Sequence, residues 1–396
     1  MRNLKFTFFL LAVFLTGTIF AQTDTIKAYQ ITLDKKIPTT SVKNQYRSGT
    51  CWSFSGASFL ESEVLRLKKE TVDLSEMFIV RNCYSDKATK YVRLHGNLNF
   101  GSGGAFHDVT YVLKNYGLVP EEAYTGLHYG TKKHVQGELD AVLKNYVDAI
   151  IKNKNKKITP VWHIGFDKIL DTYLGDYPSK FTYKGKEYTP KSFAEMLGLN
   201  ADNYIEVTSY THHPFYQEFP LELPDNWLWE NIYNIPLDDM MKILDNALDN
   251  GYTVAWASDV SERGFSWRNG IAILPDEDAE NQTGLEKDKW LNMDRKDKIS
   301  YLYNFEHIVK EKKVTQEMRQ EAFDNWKSTD DHGMHIVGYG HDQNGTRYYL
   351  VKNSWDVDNP LHGYFYASAE FVKCKTTGLM INKNAVPKDI AKKLGL

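Results

Sequence analysis

Cys51, His335 and Asn353 are the residues of this chain whose types could together perform nucleophilic sulfur chemistry. A thiol attacks a carbonyl carbon only as the thiolate, so a catalytic cysteine needs a nearby cation, a helix N-terminus or both to lower its pKa. His335 lies in the glycine-bounded segment 333–340 and is our candidate for the group that activates the thiol and later protonates a leaving amine. Asn353, two residues before Trp355, could accept a hydrogen bond from the imidazole and orient it without adding a buried charge.

An attacking thiolate also creates an oxyanion, which needs hydrogen-bond donors placed in advance. Gln45, six residues before Cys51, could donate from its side-chain amide, and the backbone N–H of Cys51 could be the second donor. Each residue also has a purely structural interpretation, because a lone histidine in an apolar strand is usually a core residue and a glutamine in a loop needs no function. The chemical interpretation therefore depends on Cys51 and its partners taken together.

The elements that would position these residues are helices early in the chain and strands late in it. Apolar residues recur at three- and four-residue spacing after Cys51, which predicts an amphipathic helix from Cys51 to Lys69, and Asp73 is expected to cap a second helix. This order of helices before strands predicts an α+β protein in which a helical layer carries the nucleophile and faces a sheet that carries the base. The other predicted elements are a helix at 106–116, mostly helices and loops at 131–250, a charged helix at 284–327, and strands at 254–257, 335–339, 347–352, 363–367 and 379–381.

The order Gln-x5-Cys-Trp, then a histidine in a glycine-rich strand, then Asn-Ser-Trp resembles that of the papain-like cysteine peptidases. The resemblance implies that Cys51 is the nucleophile, His335 the general base and acid, Asn353 the orienting residue and Gln45 the oxyanion-hole donor. It further implies that the substrate is a peptide or protein and that four residues contact it, namely Trp52, Gly103, Gly104 and Trp355. A plain turn is the alternative for the two glycines.

The chain differs from ordinary papain-like sequences in the interval between Cys51 and His335. This interval is about 280 residues, roughly twice the 130 to 150 typical of papain and cathepsins, which indicates a large insertion. The insertion, the three cysteines and the segments 117–124, 254–260 and 385–387 resemble the bleomycin hydrolase and aminopeptidase C branch of the family.

That branch resemblance implies a domain organisation and an activity. It implies a papain-like two-lobed fold with a helical lobe at about 40–130, a mainly helical insertion at about 131–250 and 276–328, and a β-barrel-like sheet lobe at about 251–275 and 329–385. It also implies an aminopeptidase that assembles as a homo-oligomer, a hexamer in that branch, with a C-terminal arm in the active-site cleft. Residues 392–396 follow the strand region closely, so we expect the arm to be shortened.

The N-terminus has the pattern of a secretory signal peptide. Arg2 and Lys5 precede an apolar stretch from Phe6 to Phe20, and Ala21-Gln22 is the expected cleavage point, which predicts residues 1–21 as the signal and an exported mature chain. The stretch is shorter than the roughly 18 to 20 apolar residues that span a bilayer, so an uncleaved anchor is the less favoured alternative. A formal net charge of -3 and the absence of an extended basic pattern argue against a nucleic-acid partner.

Several other interpretations stay open at this stage. A cysteine endopeptidase and a catalytically inactive peptidase-like binding protein share the same motifs, whereas a transglutaminase-like enzyme would usually have an acid in place of Asn353. No cofactor is expected. His212 and His213 do not predict a metal site, because neighbouring residues of a strand point to opposite faces. Cys83 and Cys374 could form a disulfide, but two buried thiols are favoured.

Overall fold

The computed structural model of the protein describes residues 22–155, 157–278 and 290–396. The predicted signal peptide, residues 1–21, and the start of the predicted charged helix at 284–327 lie outside this range. The described helices are α1 (Cys51–Lys68), α2 (Glu76–Arg93), α3 (Phe106–Asn115), α4 (Gly137–Ile151), α5 (Val161–Leu174), α6 (Pro190–Leu197), α7 (Leu237–Asp249), α8 (Arg295–Tyr303), α9 (Gln316–Asp324), α10 (Ala369–Lys375) and α11 (Lys388–Leu394).

The strands form one large sheet and one separate hairpin. The strands are β1 (Thr23–Ile26), β2 (Tyr29–Lys36), β3 (Phe181–Tyr183), β4 (Lys186–Tyr188), β5 (Tyr204–Thr208), β6 (Gln217–Pro220), β7 (Asn231–Asn234), β8 (Val254–Ser258), β9 (Phe265–Ser266), β10 (Ile271–Ala272), β11 (His332–His341), β12 (Arg347–Lys352), β13 (Tyr364–Ser368) and β14 (Thr376–Asn382). Within the described residues, twelve strands pair in the order β6-β7-β5-β14-β8-β11-β12-β13-β10-β9, with β2 joining β11 and β1 joining β2. The α+β prediction is therefore confirmed.

Strand β11 contains His332 and His335 and pairs with three other described strands of the sheet. Its first half pairs antiparallel with β8, its second half pairs antiparallel with β2, and β12 pairs with it along the other edge. Its residues alternate between two hydrophobic clusters, since Met334 and Ile336 pack on the side of α7 whereas His335 faces α1. A strand buried on both faces holds its side chains at fixed positions.

Helix α1 lies against this strand and is buried from Trp52 to Val64. The predicted helix is present, but it is buried more fully than an amphipathic pattern indicates, because its polar residues find partners inside the protein. Ser53 donates to the backbone carbonyl of Glu76, and Glu61 accepts from the backbone N–H of Leu74 at 2.8 Å. Hydrogen-bonded polar residues of this kind can be buried without a large desolvation cost.

Residues 131–250 contribute to the sheet as well as to the helical layer. Helices α4, α5 and α6 pack with α1, α2 and α3 in one hydrophobic cluster. The prediction of mostly helices and loops over 131–250 misses strands β5, β6 and β7, which extend the sheet beyond β14. These strands are four or five residues long, and such short apolar runs carry little periodic signal.

The start of α2 also differs from the prediction. Ser75, not Asp73, is the N-cap, and its hydroxyl accepts from the backbone N–H of Phe78 at 3.0 Å. Asp73 instead pairs with Lys43. In the described residues, no helix has the length and apolar content that crossing a membrane requires.

Candidate active site

Cys51 is the first residue of α1 and lines a cavity of about 450 Å³ between the helical layer and the sheet. The residue as a whole is partly buried. Gly333 of β11 allows the strand to approach the start of the helix, because a Cβ at this position would lie 3.1 Å from Cα of Trp52 and 2.8 Å from the Ser55 hydroxyl. The close approach places the first residues of β11 level with the helix N-terminus.

Two histidines among the described residues line the cavity of Cys51, namely His107, which is paired with Glu206, and His332, the first residue of β11 and the neighbour of Gly333. Nε2 of His332 lies 2.7 Å from Oδ1 of Asn353, and its ring stacks on Trp355 with 4.4 Å between centroids. The ring is 5% exposed, so the tryptophan and the surrounding protein shield the hydrogen bond to Asn353 from water. Nδ1 is the nitrogen left to exchange a proton with a thiol.

The prediction that His335 is the base is wrong. His335 is 1% exposed, does not line the cavity, and has its Nδ1 3.0 Å from the hydroxyl of Ser58. Lys352 donates to the same hydroxyl at 2.7 Å. Burial and the charge of Lys352 hold the pKa of His335 well below its usual range, so this imidazole stays neutral and belongs to the core.

The geometry of a strand beside a helix explains why the two histidines differ. Three strand residues advance about 10 Å and seven helix residues advance about 10.5 Å, so His335 lies beside Ser58, two turns beyond Cys51. The alternation of side chains along the neighbouring strand β12 also separates the two histidines, because it shows which of them shares a face with Asn353. Lys352 is the register partner of His335, so Asn353 projects to the opposite face, the face of His332.

The surroundings of Cys51 both oppose and support a thiolate. Burial raises the pKa of the Cys51 thiol to about 11, and the backbone N–H groups of Gly333 and Trp52 act in the other direction. Burial also lowers the pKa of His332 to about 4, against a smaller raising effect of Asn353. Each charged form is therefore costly alone, and a thiolate is favourable only with an imidazolium beside it and the helix N-terminus behind it.

Gln45 lies in the cavity wall with its amide held from both sides. Its Nε2 donates to the carbonyl of Ser48 at 2.8 Å, and its Oε1 accepts from the hydroxyl of Ser354 at 2.6 Å. An amide nitrogen has two hydrogens, so the second N–H is available to a group in the cavity. The Asn-Ser-Trp segment thus positions both the histidine and the glutamine.

The predicted substrate-contacting residues Gly103, Gly104, Trp52 and Trp355 also line this cavity. A Cβ on Gly103 would lie 2.0 Å from the carboxylate of Asp225, so a larger residue at that position would displace this carboxylate. Lys87, which the sequence analysis did not single out, is buried and donates to the carbonyls of Gly101 and Gly103 at 3.0 and 2.5 Å. This buried cation fixes the loop that forms one wall.

His212 and His213 do not diverge as the sequence analysis expected. They lie in a bend and not in a strand, so alternation does not apply, and their Nε2 atoms lie 3.0 and 2.9 Å from the two carboxylate oxygens of Glu222. Hydrogen bonds account for this grouping. The three cysteines are free thiols, with Cys83 and Cys374 buried, which agrees with the interpretation favoured above.

Comparison with known proteins gives a family match and distant full-length relatives. The family model "Papain family cysteine protease" matches residues 29–164 and 301–383, more than half of the chain. Aminopeptidase C of Lactobacillus delbrueckii subsp. lactis is 21% identical, and the alignment covers 91% of this chain and 83% of the relative. Aminopeptidase W of the same organism is also 21% identical, over 91% of this chain and 84% of the relative.

A solved structure shares the fold across nearly the whole chain. The crystal structure of PepW from Lactobacillus rhamnosis HN001 superposes with a TM-score of 0.68 at 19% identity, covering 92% of this chain and 84% of that one. Human cathepsin L2, by contrast, is 37% identical over only 23% of this chain. The similarity to the aminopeptidases therefore includes the inserted segment, whereas the similarity to the cathepsin does not span the chain.

Proposed function

Since the chain belongs to the papain family of cysteine proteases, we propose that it is an aminopeptidase that removes N-terminal residues from peptides through an acyl-thioester on Cys51. The observation that carries the proposal is that Cys51 and His332 line one cavity while Asn353 holds the ring of His332 by a hydrogen bond. The relatives named aminopeptidase C and W, which align along about nine-tenths of this chain, support removal from the N-terminus.

In the proposed reaction, His332 accepts the thiol proton and the Cys51 thiolate attacks the carbonyl carbon of the peptide bond. The carbonyl oxygen becomes an oxyanion that accepts from the free N–H of Gln45. When the C–N bond breaks, the imidazolium gives its proton to the leaving amine and the thioester remains. His332 then removes a proton from water, which attacks the thioester and releases the carboxylic acid and the thiol.

Asn353 and Trp355 act on His332 and not on the substrate in this proposal. The hydrogen bond to Oδ1 fixes which ring nitrogen faces the thiol, and the stacked indole limits rotation of the ring. A neutral orienting group is suited to a buried site, since an acid there would add a charge that needs compensation.

The proposal is tested with an unblocked peptide and its N-acetylated twin. An aminopeptidase cleaves the unblocked peptide and loses cleavage on acetylation, because the free ammonium is part of what it binds. Equal cleavage of both peptides would indicate an endopeptidase, and cleavage of neither would favour an inactive binding protein. Cys51→Ala is the control for contaminating peptidases, and iodoacetamide should label Cys51 faster than the buried Cys83 and Cys374.

We also propose that the protein is exported, on the support of Arg2, Lys5 and the apolar stretch from Phe6 to Phe20. N-terminal sequencing of the mature protein should begin at Gln22, and an intact Met1 would contradict export by cleavage. The hexamer implied by resemblance stays a prediction, which light scattering tests directly.

A further inference from the structure

The cavity of Cys51 contains more negative charge than the peptidase reaction itself uses. Four carboxylates line it, those of Glu206, Asp225, Asp330 and Asp331, whereas the described lining residues include no lysine or arginine and one cationic imidazole, that of His107 beside Glu206. Asp331 is engaged elsewhere, since it accepts from the backbone N–H and hydroxyl of Ser261 and from the hydroxyl of Thr329. The other three carboxylates are the ones that need an explanation.

Asp330 and Asp225 are each held by a neutral donor. Asp330 accepts from the Thr377 hydroxyl at 3.1 Å, and Asp225 accepts from the side-chain amide of Asn99 at 2.9 Å. Lys87 attracts Asp225 from behind the glycine loop, where its ammonium donates to backbone carbonyls. Among the residues that the structure describes, neither carboxylate therefore has a cation in hydrogen-bond contact.

Glu206 supplies an independent sign of a missing donor. Its side chain is nine-tenths buried, and Oε1 makes no hydrogen bond although His107 Nδ1 lies 3.3 Å away. Burial disfavours a charged His107, but Glu206, with smaller contributions from Asp108 and Glu230, outweighs burial, so the pKa of His107 is raised to about 9. His107 is thus charged at neutral pH, and Glu206 Oε1 lies in the cavity wall with this imidazolium as its ion-pair partner but without a well-aligned donor.

The chemistry of the proposed reaction brings such a donor to this place. In an N-terminal residue, the amino nitrogen lies about 2.5 Å from the carbonyl carbon that the thiolate attacks. A carboxylate that binds this ammonium must therefore be close to Cys51. Asp330 meets that condition, because it is two residues before His332 and its charge acts on Cys51 more strongly than that of any other acid.

We propose that Asp330, together with Asp225 and Glu206, binds the protonated α-amino group of the substrate and so determines that the enzyme acts at a free N-terminus. The proposal rests on the aminopeptidase function above and names its recognition group. None of the residues from Lys383 to Leu396 lines the cavity, so the anionic end is built from side chains of the loops before β7 and β11 and from β5.

Binding of an ammonium at this position would also assist the nucleophile. Besides burial, Asp330 and Asp225 raise the pKa of the Cys51 thiol through their negative charge. A bound cation offsets that effect, so a substrate with a free N-terminus favours the thiolate that attacks it. An acetylated peptide brings no such charge and would additionally bury the carboxylates unpaired.

The test measures binding in the Cys51→Ala protein, so that it does not depend on turnover. Calorimetry compares the Kd of an unblocked peptide with that of its acetylated twin, with and without Asp330→Asn. We expect Asp330→Asn to weaken binding of the unblocked peptide about 10- to 100-fold, the range for a hydrogen-bonded charge pair, and to change binding of the acetylated peptide less than threefold. Asp389→Asn, an exposed acid on α11 paired with Lys242, is the control with the same change in net charge.

Three outcomes would overturn the proposal. Equal weakening for both peptides would indicate a structural role for Asp330, and no weakening would remove the residue from recognition. A larger effect of Asp330→Asn on the Kd of an acetylated peptide that contains arginine than on that of the unblocked peptide would mean that the carboxylates bind a basic side chain instead. If Asp330→Asn fails to fold, as thermal melting would show, Asp225→Asn tests the same claim. Wild-type cleavage of acetylated peptides would contradict the proposed function separately, before any variant is made.

Discussion

His332 and His335 lie three residues apart on one strand, yet their surroundings give them opposite chemistry. His332 has one nitrogen on Asn353 and borders the cavity of Cys51, whereas His335 faces Ser58 and the charge of Lys352 inside the core. Burial lowers the pKa of both rings, so burial does not distinguish them. What distinguishes them is whether an acid partner, here a thiol, can give the ring a proton and remain beside it as a compensating charge.

Among the variants that test this difference between the two histidines, His332→Ala is expected to have the largest effect. Removal of the general base and acid should lower kcat/KM at least 1000-fold toward any cleaved peptide, while the melting temperature stays close to that of the wild type. Steady-state kinetics and a thermal melt measure the two quantities. Retention of more than one-tenth of the activity would break the assignment of the base to His332.

The complementary variant, His335→Ala, should affect stability and not catalysis. Loss of a buried ring that packs against Phe59 is expected to reduce the free energy of unfolding by about 2 kcal/mol at pH 8, with kcat/KM of the folded protein within threefold of the wild type. Because the folded pKa of His335 is lowered, its contribution is present above the unfolded pKa of about 6.5 and is lost as pH falls. The difference between the two proteins in urea unfolding should therefore shrink at pH 5.

A smaller effect is expected at the residue that orients the active ring. Asn353→Ala should lower kcat about 10- to 30-fold with little change in KM, since the ring loses its fixed orientation but keeps its stacking on Trp355. Asn353→Gln offers the same amide on a longer side chain and should restore part of the rate. A change confined to KM would indicate that Asn353 contacts the substrate instead.

The sequence predicts the nucleophilic helix and five of the twelve described strands of the sheet, because these elements have strong periodicity or clear glycine boundaries. The strand Arg347–Lys352 is found as predicted, and α1 begins at Cys51 and ends one residue before the predicted end. Cys51, Gln45 and the two glycines line one cavity, and Asn353 contacts it through its hydrogen bond to His332. Their catalytic roles are proposals that the variants above test.

The segment Asp331-His332-Gly333-Met334-His335 contains two histidines, and the sequence alone does not show which of them faces Asn353. The apolar, glycine-bounded context favours His335, which the structure places in the core. Pairing β11 with β12 antiparallel places Asn353 on the face of His332, which alternation alone would have indicated once the register was known. The register depends on long-range pairing, which a single sequence does not fix.

The cavity carboxylates were missed because they come from separate parts of the chain. Glu206 lies on an inserted strand, Asp225 on an inserted loop, and Asp330 just before β11, and nothing local to any of them indicates that they meet. Acids in polar loops are ordinary surface residues in most sequences. Only the addition of β5 to the sheet beside β14 brings Glu206 into the cavity wall.

The smallest expected effect is the pH dependence of the free energy of unfolding that Asp330 causes. Its sign is opposite to that of His335, since Asp330 costs stability as pH rises and His335 costs stability as pH falls. Burial, followed by the charge of Asp225, raises the pKa of Asp330 from 3.8 to about 7. The folded protein therefore binds an extra proton between these values, and the unliganded protein loses stability as pH rises from about 4 to 7. Asp330→Asn removes this loss, so it should increase the free energy of unfolding by about 1 kcal/mol at pH 8 and by nothing at pH 4. Urea unfolding at the two pH values measures the difference.

Asp389→Asn, whose carboxylate is exposed, is the control and should show no such pH-dependent gain in the free energy of unfolding. If Asp330→Asn instead stabilises the protein equally at both pH values, the carboxylate is not held at an electrostatic cost for binding an ammonium.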